Sequence, residues 1–206
     1  MNNICWYIDD KPAEMATFSR ILREIFQDSL EIREICPPFV HKSDYFHLLE
    51  DPNIGCFFID QKLQDNATYS GIELASDLRV NDTKIPIYIL TNYSKYPEEF
   101  TGSEWSVEDI IAKDKIRDDS EMYKARIIRR LNNYSDILQE REKRFQYLLR
   151  KSLNNSISSE EYKELDQLQV IRVSPILSKE IESLNQVDQL LKTYNEQLDK
   201  IKRAEK

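Results

Sequence analysis

The chain has 206 residues, 40% hydrophobic and 32% charged, with 3 Gly and 7 Pro, enough for one domain with a full core and a smaller appendage. Nothing approaches the ~20 consecutive apolar residues of a membrane span, and Met1-Asn2-Asn3 lacks the basic start and apolar run of a secretory leader, so the expectation is a cytoplasmic protein without membrane contact. Residues 1–120 hold 12 Lys+Arg against 23 Asp+Glu and residues 121–206 hold 17 against 14: the acidic first part argues against nucleic acid and suits a divalent cation, and the second, mixed in sign, has no nucleic-acid footprint.

Ile4–Ile8 is a short apolar run ending at Asp9-Asp10. Pro12 can open a helix, along which Met15, Phe18, Ile21, Leu22, Ile25 and Phe26 recur at helical spacing. Leu30–Cys36 alternates like a strand until Pro37-Pro38, and Ser43–Glu50 has the pattern of a short helix. Ile54–Ile59 is continuously apolar, as in a strand buried on both faces, and ends at Asp60. Ile72, Leu74, Ala75 and Leu78 mark a helix opened near Ser70-Gly71. Ile85–Leu90 is a fourth strand ending at Thr91-Asn92, and Ile110–Ala112 a fifth before Lys113, with residues 94–107 between them as helix or loop. Such alternation predicts a parallel sheet covered on both sides, whose ligands collect beyond the carboxyl ends of the strands.

The second part changes character. Residues 118–153 contain no Gly or Pro, and Ile127, Leu131, Tyr134, Leu138, Phe145 and Leu148 fit a heptad pattern with Arg141 at one seam position. The spacing predicts a long helix, continuous or broken near Asn132-Asn133, that ends at Asn154-Asn155. A short helix capped by Ser159 follows to Leu168, and a third, capped by Ser178, carries Leu184, Val187, Leu191, Tyr194, Leu198 and Ile201 at coiled-coil-like spacing. Glu160, Glu161, Glu164 and Asp166 would repel phosphates, so the module reads as one for protein interaction or dimerisation. Covering of the helices by one another, with no further role, is the plainer alternative. Cys5, Cys36 and Cys56 sit far apart in strand-like runs and read as free, buried thiols. His41 and His47 have no partner at ligand spacing and read as a solvated helix face.

Asp9, Asp10, Asp60, Thr91 and Lys113 all stand at strand ends and, in a parallel sheet, converge on one edge. Taken singly, an acidic pair can simply start a helix, and Asp60, Thr91 or Lys113 can be a turn, strand-end or solvated residue. Taken together, three carboxylates around one point call for a hard cation such as Mg²⁺, with a lysine and a hydroxyl to receive phosphoryl oxygens and one carboxylate left as nucleophile.

With these elements in order, the sequence resembles the receiver domains of two-component response regulators over about residues 1–130. The matching segments are Trp6-Tyr7-Ile8-Asp9-Asp10-Lys11-Pro12, Phe58-Ile59-Asp60, Gly71-Ile72-Glu73-Leu74 with Leu78-Arg79, Ile85 through Thr91, and Ile110-Ile111-Ala112-Lys113. The resemblance implies an α/β fold, a doubly wound five-stranded parallel sheet of flavodoxin-like type over residues 1–120; the spacing beyond it, unfamiliar in the family, predicts an all-α helical hairpin or coiled-coil-like extension over 121–206. It implies Asp60 as phosphoacceptor, Thr91 and Lys113 as phosphoryl ligands, and Asp9, Asp10, Asp60 and the Lys62 carbonyl around Mg²⁺. The phosphodonor would be a sensor histidine kinase, and the helices would switch homodimerisation or a partner protein. Such a protein is a regulator that catalyses only its own phosphorylation, not an enzyme in the ordinary sense. The alternatives are a phosphoryl sink or relay without output, and a pseudo-receiver scaffold that takes no phosphate.

The sequence also departs from the family pattern. Asn92 replaces the small residue after the Thr, Asp114 replaces the Pro after the Lys, and Ile110 stands where an aromatic switch residue is usual. The loop from Gln61 to Ser70 is about three residues longer than usual. Lys62 and Tyr93 fall at positions that tune phosphoryl loss in the family, and bulky Asn92 and Tyr93 would hinder attacking water.

Overall fold

The structure, a computed structural model, describes residues 3–63, 67–92 and 104–170. Five parallel strands, β1 (Asn3–Ile8), β2 (Leu30–Ile35), β3 (Ile54–Asp60), β4 (Ile87–Thr91) and β5 (Asp109–Ala112), form one sheet in the order β2-β1-β3-β4-β5. This is the flavodoxin-like, doubly wound order expected from the sequence. Helix α1 (Pro12–Phe26) joins β1 to β2, a 3-10 stretch (Lys42–Glu50) and a turn lead into β3, and α2 (Gly71–Asn81) precedes β4. Helix α3 (Lys113–Asp118) leaves β5, and α4 (Ser120–Leu153) follows after a single residue.

Period-two alternation divides the core between the two faces of the sheet. Along β3, Phe57 and Ile59 join the cluster under α2, while Cys56 and Phe58 join the cluster under α1 and α4. Every position of β3 and β4 is buried, which explains why both read as unbroken apolar runs. Cys5 and Cys56 are buried free thiols, neighbours across β1 and β3, whereas Cys36 is partly exposed just beyond β2.

Local chemistry sets the helix boundaries. Ser70 caps α2 through a reciprocal box: its hydroxyl accepts from Glu73 N at 3.4 Å and its amide donates to Glu73 Oε2 at 2.7 Å. We expect Ser70→Ala to lower stability by about 1 kcal/mol in urea denaturation, and an unchanged midpoint would contradict that role. Asp109 rather than Ile110 begins β5, and the segment 42–50 winds as 3-10 rather than α-helix. Of the stretch 94–107, residues 94–103 lie outside the described residues and 104–106 form one 3-10 turn.

The long helix is continuous through Asn132-Asn133 but separate from α3, because Asp119 leaves the helical region at φ −109°, ψ 35°. Its first half belongs to the core: Ile127 and Leu131 pack under the α1 face, and Tyr134 reaches the other cluster. The Tyr134 hydroxyl donates to Asp82 Oδ2 at 2.7 Å, beyond the end of α2. The chain then turns through Asn155, which adopts a left-handed φ of 51°. A returning helix, α5, runs from 159 to the end of the described residues at 170. Its cap is Ser158 rather than Ser159, in a second reciprocal box with Glu161. Leu148 and Leu165 are buried, and Arg144 grips Glu164 with two hydrogen bonds of 2.8 and 2.6 Å. The pair is exposed, so the buried leucines do more to hold the hairpin. The third helix expected around 184–201 lies outside the described residues. No helix among the described residues is long and apolar enough to cross a membrane.

Candidate functional site

The carboxyl ends of β1, β3, β4 and β5 bring Asp9, Asp10, Asp60, Thr91 and Lys113 to one edge, and all five are buried. The register explains the convergence. Ile8 pairs with Ile59, so Asp9 and Asp60 leave their strands side by side, and Thr91 pairs with Ala112, one residue before Lys113.

Lys113 is the hub. It is 3% exposed, and its Nζ lies 2.6 Å from Asp60 Oδ1, 3.0 Å from Asp9 Oδ2 and 2.8 Å from Glu14 Oε2. It also sits 5.1 Å from the centroid of the Phe18 ring, a cation–π distance. Burial by itself would lower its pKa, but the charges and hydrogen bonds of Asp60, Glu14 and Asp9 outweigh burial and hold the ammonium well above the ordinary lysine range. Asp60 feels the opposite balance. Burial raises its carboxyl above the usual carboxylate range against the pull of Lys113.

Backbone and phenol donors orient the two aspartates. Lys62 N donates to Asp60 Oδ2 at 2.7 Å, and Lys11 N donates to Asp9 Oδ1 at 2.9 Å. The Tyr7 hydroxyl donates to Asp9 Oδ2 at 2.5 Å, and burial with the Asp9 charge pushes that phenol far above its ordinary pKa. The loop that carries Asp60 forward is tied on both sides: Gln61 N donates to Leu90 O at 2.9 Å, and Gln61 O accepts from Gly71 N at 3.0 Å.

One member was not singled out in the sequence. Glu14, in the first turn of α1, turns to Lys113 and accepts from Asn92 Nδ2 at 3.2 Å, instead of closing a capping box on its own helix. Its carboxyl is held below the ordinary range by the hydrogen bond from Lys113. The signal was positional: a helix that starts directly after a strand end presents its first turn to that same edge.

Asp9, Glu14 and Asp60 each offer a carboxylate oxygen, all within 4.8 Å of one another. Hard oxygen donors of this kind suit Mg²⁺. Asp10 is buried next to Asp9 at the end of β1, outside that triplet. Lys62 enters the site through its amide. Among the departures, Asn92 stands at the mouth of the site, Asp114 accepts from Lys115 N at 2.8 Å in the first turn of α3, Ile110 is half-buried, and Tyr93 lies outside the described residues. His41 and His47 are exposed and remote from these groups in the chain, and His47 Nδ1 lies 2.6 Å from Asp44 O.

A second concavity, of about 350 Å³, opens at the amino end of the sheet among Leu49, Ile54, Asp82, Tyr134, Leu138 and Leu168. Ile54 and Asp60 bracket β3, so this hollow is roughly 20 Å from the acidic edge.

No family model matches the sequence, and no curated protein matches it. Solved structures do match. The signal receiver domain of a Luxo repressor protein from Vibrio parahaemolyticus superposes with a TM-score of 0.51 at 13% identity, covering 66% of this chain and 98% of that one. NtrX from Brucella abortus gives 0.50 at 15% identity, covering 68% of this chain and 29% of that longer one. The response regulator TrrA from Thermotoga maritima, solved with Mg²⁺ and BeF, gives 0.47 at 19% identity, covering 61% of this chain and 98% of that one. At these identities the likeness is one of fold: the sheet and its helices have the receiver architecture, and a helical extension follows it.

Proposed function

We propose that this chain is a two-component response regulator whose Asp60 takes a phosphoryl group from a phosphohistidine of a sensor histidine kinase. The observation that carries the reading is the position of Lys113 Nζ, 2.6 Å from Asp60 Oδ1 at the carboxyl edge of a parallel sheet, with Asp9 and Thr91 buried around it. An Asp60 oxygen attacks phosphorus in line with the donor nitrogen. The new O–P bond forms as the P–N bond breaks, and the electron pair of that bond stays on the imidazole. Lys62 N holds the other Asp60 oxygen in place for that attack. Lys113 turns from the carboxylates to the transferred phosphoryl oxygens, and the Thr91 hydroxyl takes another of them. Asp9, Asp10 and Asp60, with the Lys62 carbonyl, would hold Mg²⁺, which when bound offsets the negative charge gathered on the phosphoryl oxygens.

The output runs through α4. This helix touches α1 and the start of β3, so a shift of the phosphorylated edge reaches the α4–α5 hairpin through the core rather than across solvent. The hairpin then changes what it binds, a second copy or another protein, and the protein acts as a cytoplasmic regulator rather than an enzyme.

The test is beryllium fluoride, a phosphoryl mimic, titrated by fluorine NMR with light scattering on the same samples. The wild-type chain is expected to bind it only with Mg²⁺ present, and Asp60→Asn not at all. Binding unaffected by Asp60→Asn would overturn the assignment. Binding with no change of assembly would exclude a switch of self-association and leave either another protein as the partner or a sink or relay, and a folded protein that binds none would be a pseudo-receiver.

A further inference from the structure

Glu14 is an extra carboxylate in a site that already has three. Its Oε2 occupies two donors at once, Lys113 Nζ at 2.8 Å and Asn92 Nδ2 at 3.2 Å. Lys113 is the one cation that touches Asp60 among the described residues. A phosphoryl group on Asp60 would place anionic oxygens beside this same ammonium, so Glu14 stands where an incoming anion has to be received. Its backbone is fixed in the first turn of α1, but its side chain is 33% exposed, and its second oxygen lies 3.6 Å from Lys11 Nζ on the solvent side. The carboxylate therefore has an inner partner, Lys113, and an outer one, Lys11, which is 47% exposed. The two are held at once through different oxygens, and rotation about the glutamate side chain can release Lys113 while keeping Lys11, without moving the helix.

We propose that Glu14 is a tethered competitor of the phosphoryl group: it holds Lys113 while Asp60 is unmodified and must swing out to Lys11 before Lys113 can take phosphoryl oxygens. This rests on the phosphoacceptor reading of Asp60. It makes Glu14 a positioning residue that sets how readily the site accepts an anion, not a group that reacts. The charge balance agrees with this role. Asp9, Asp60 and Glu14 share Lys113, and each further negative charge kept within a few ångströms of the phosphoryl group opposes its entry. Asn92, bulkier than the residue usual after the Thr, has here a specific task, which is to hold the inner position of Glu14.

The experiment compares wild type, Glu14→Gln and Glu14→Ala in the full chain at saturating Mg²⁺, so that metal affinity does not enter. Beryllium fluoride affinity is read by fluorine NMR, and acetyl phosphate labelling by intact mass. Glutamine keeps the shape and removes the charge, so beryllium fluoride should bind about tenfold more tightly. The half-saturating acetyl phosphate concentration should fall while the maximal labelling rate changes little. Glu14→Ala should behave the same way, which separates the charge from any packing role. Lys11→Ala, which removes the outer partner, should shift affinity in the opposite direction. If wild type is labelled on Asp60 and Glu14→Gln binds the mimic no better, or more weakly, Glu14 is not a competitor and the inference fails alone. If neither the wild type nor any folded Glu14 variant binds the mimic or is labelled, the phosphoacceptor reading fails and takes this inference with it. Labelling of the Glu14 variants but not of wild type would be the strongest form of the expected result.

Discussion

Gly71→Ala is expected to cost about 3 kcal/mol of folding stability, near the upper end for adding one methyl group to a packed site. A Cβ built on Gly71 would lie 2.2 Å from the backbone oxygen of Asp60 and 3.1 Å from Ile59 Cγ2. The first contact is with main chain, so no side chain can rotate away to relieve it. The amino end of α2 would have to back off from β3, stretching the 3.0 Å bond from Gly71 N to Gln61 O and disturbing the loop that aims Asp60. Urea denaturation at an unchanged slope measures the loss, and a variant within 1 kcal/mol of wild type would show that the close approach is not needed. Because the clash is against the carbonyl of Asp60 itself, beryllium fluoride affinity should fall together with stability.

Lys113→Met should lower the stability of the metal-free protein by about 3–5 kcal/mol, the scale of losing one partner from a buried ionic cluster. Asp60 and Asp9 would stay buried with the nearest cation gone. Because Lys113 is held above the ordinary lysine range, its contribution is complete below the unfolded lysine value of about 10.4 and is lost only as pH rises through the higher folded value. The gap between wild type and variant should therefore persist across neutral pH and close only in strongly alkaline solution. Saturating Mg²⁺ should recover more stability in the variant than in wild type, since a ligand of the folded state stabilises by mass action and the variant has the greater uncompensated charge. Equal stabilities of the two proteins in a chelating buffer would contradict the account.

Most of the fold was legible because its strands have one pattern and its helices another. β3 and β4 are buried at every position, so their apolar runs stood out. Asp60 and Thr91 could be placed because each follows such a run and a parallel sheet puts all strand ends on one edge. Glu14 and Tyr7 escaped notice for the same physical reason. Tyr7 looks like any core aromatic until its hydroxyl is found on Asp9, and Glu14 looks like an ordinary first-turn acid until its direction is known. The break at Asp119 carries no Gly or Pro to announce it. It arises because α3 must leave β5 so as to bury Ile116, while α4 must lie along the core with Ile127 and Leu131. Ser158 and Ser159 are adjacent and chemically equal as caps, and only the pairing with Glu161 chooses between them.

Chemistry at Asp60 is the claim on which the rest depends. It is tested most directly by intact mass after incubating the full chain with Mg²⁺ and acetyl phosphate, beside Asp60→Ala and a chelated control. The wild-type chain is expected to gain one phosphoryl group, Asp60→Ala none, and the chelated control none. A folded wild-type chain that gains no mass, or an Asp60→Ala chain that gains as much, would contradict it.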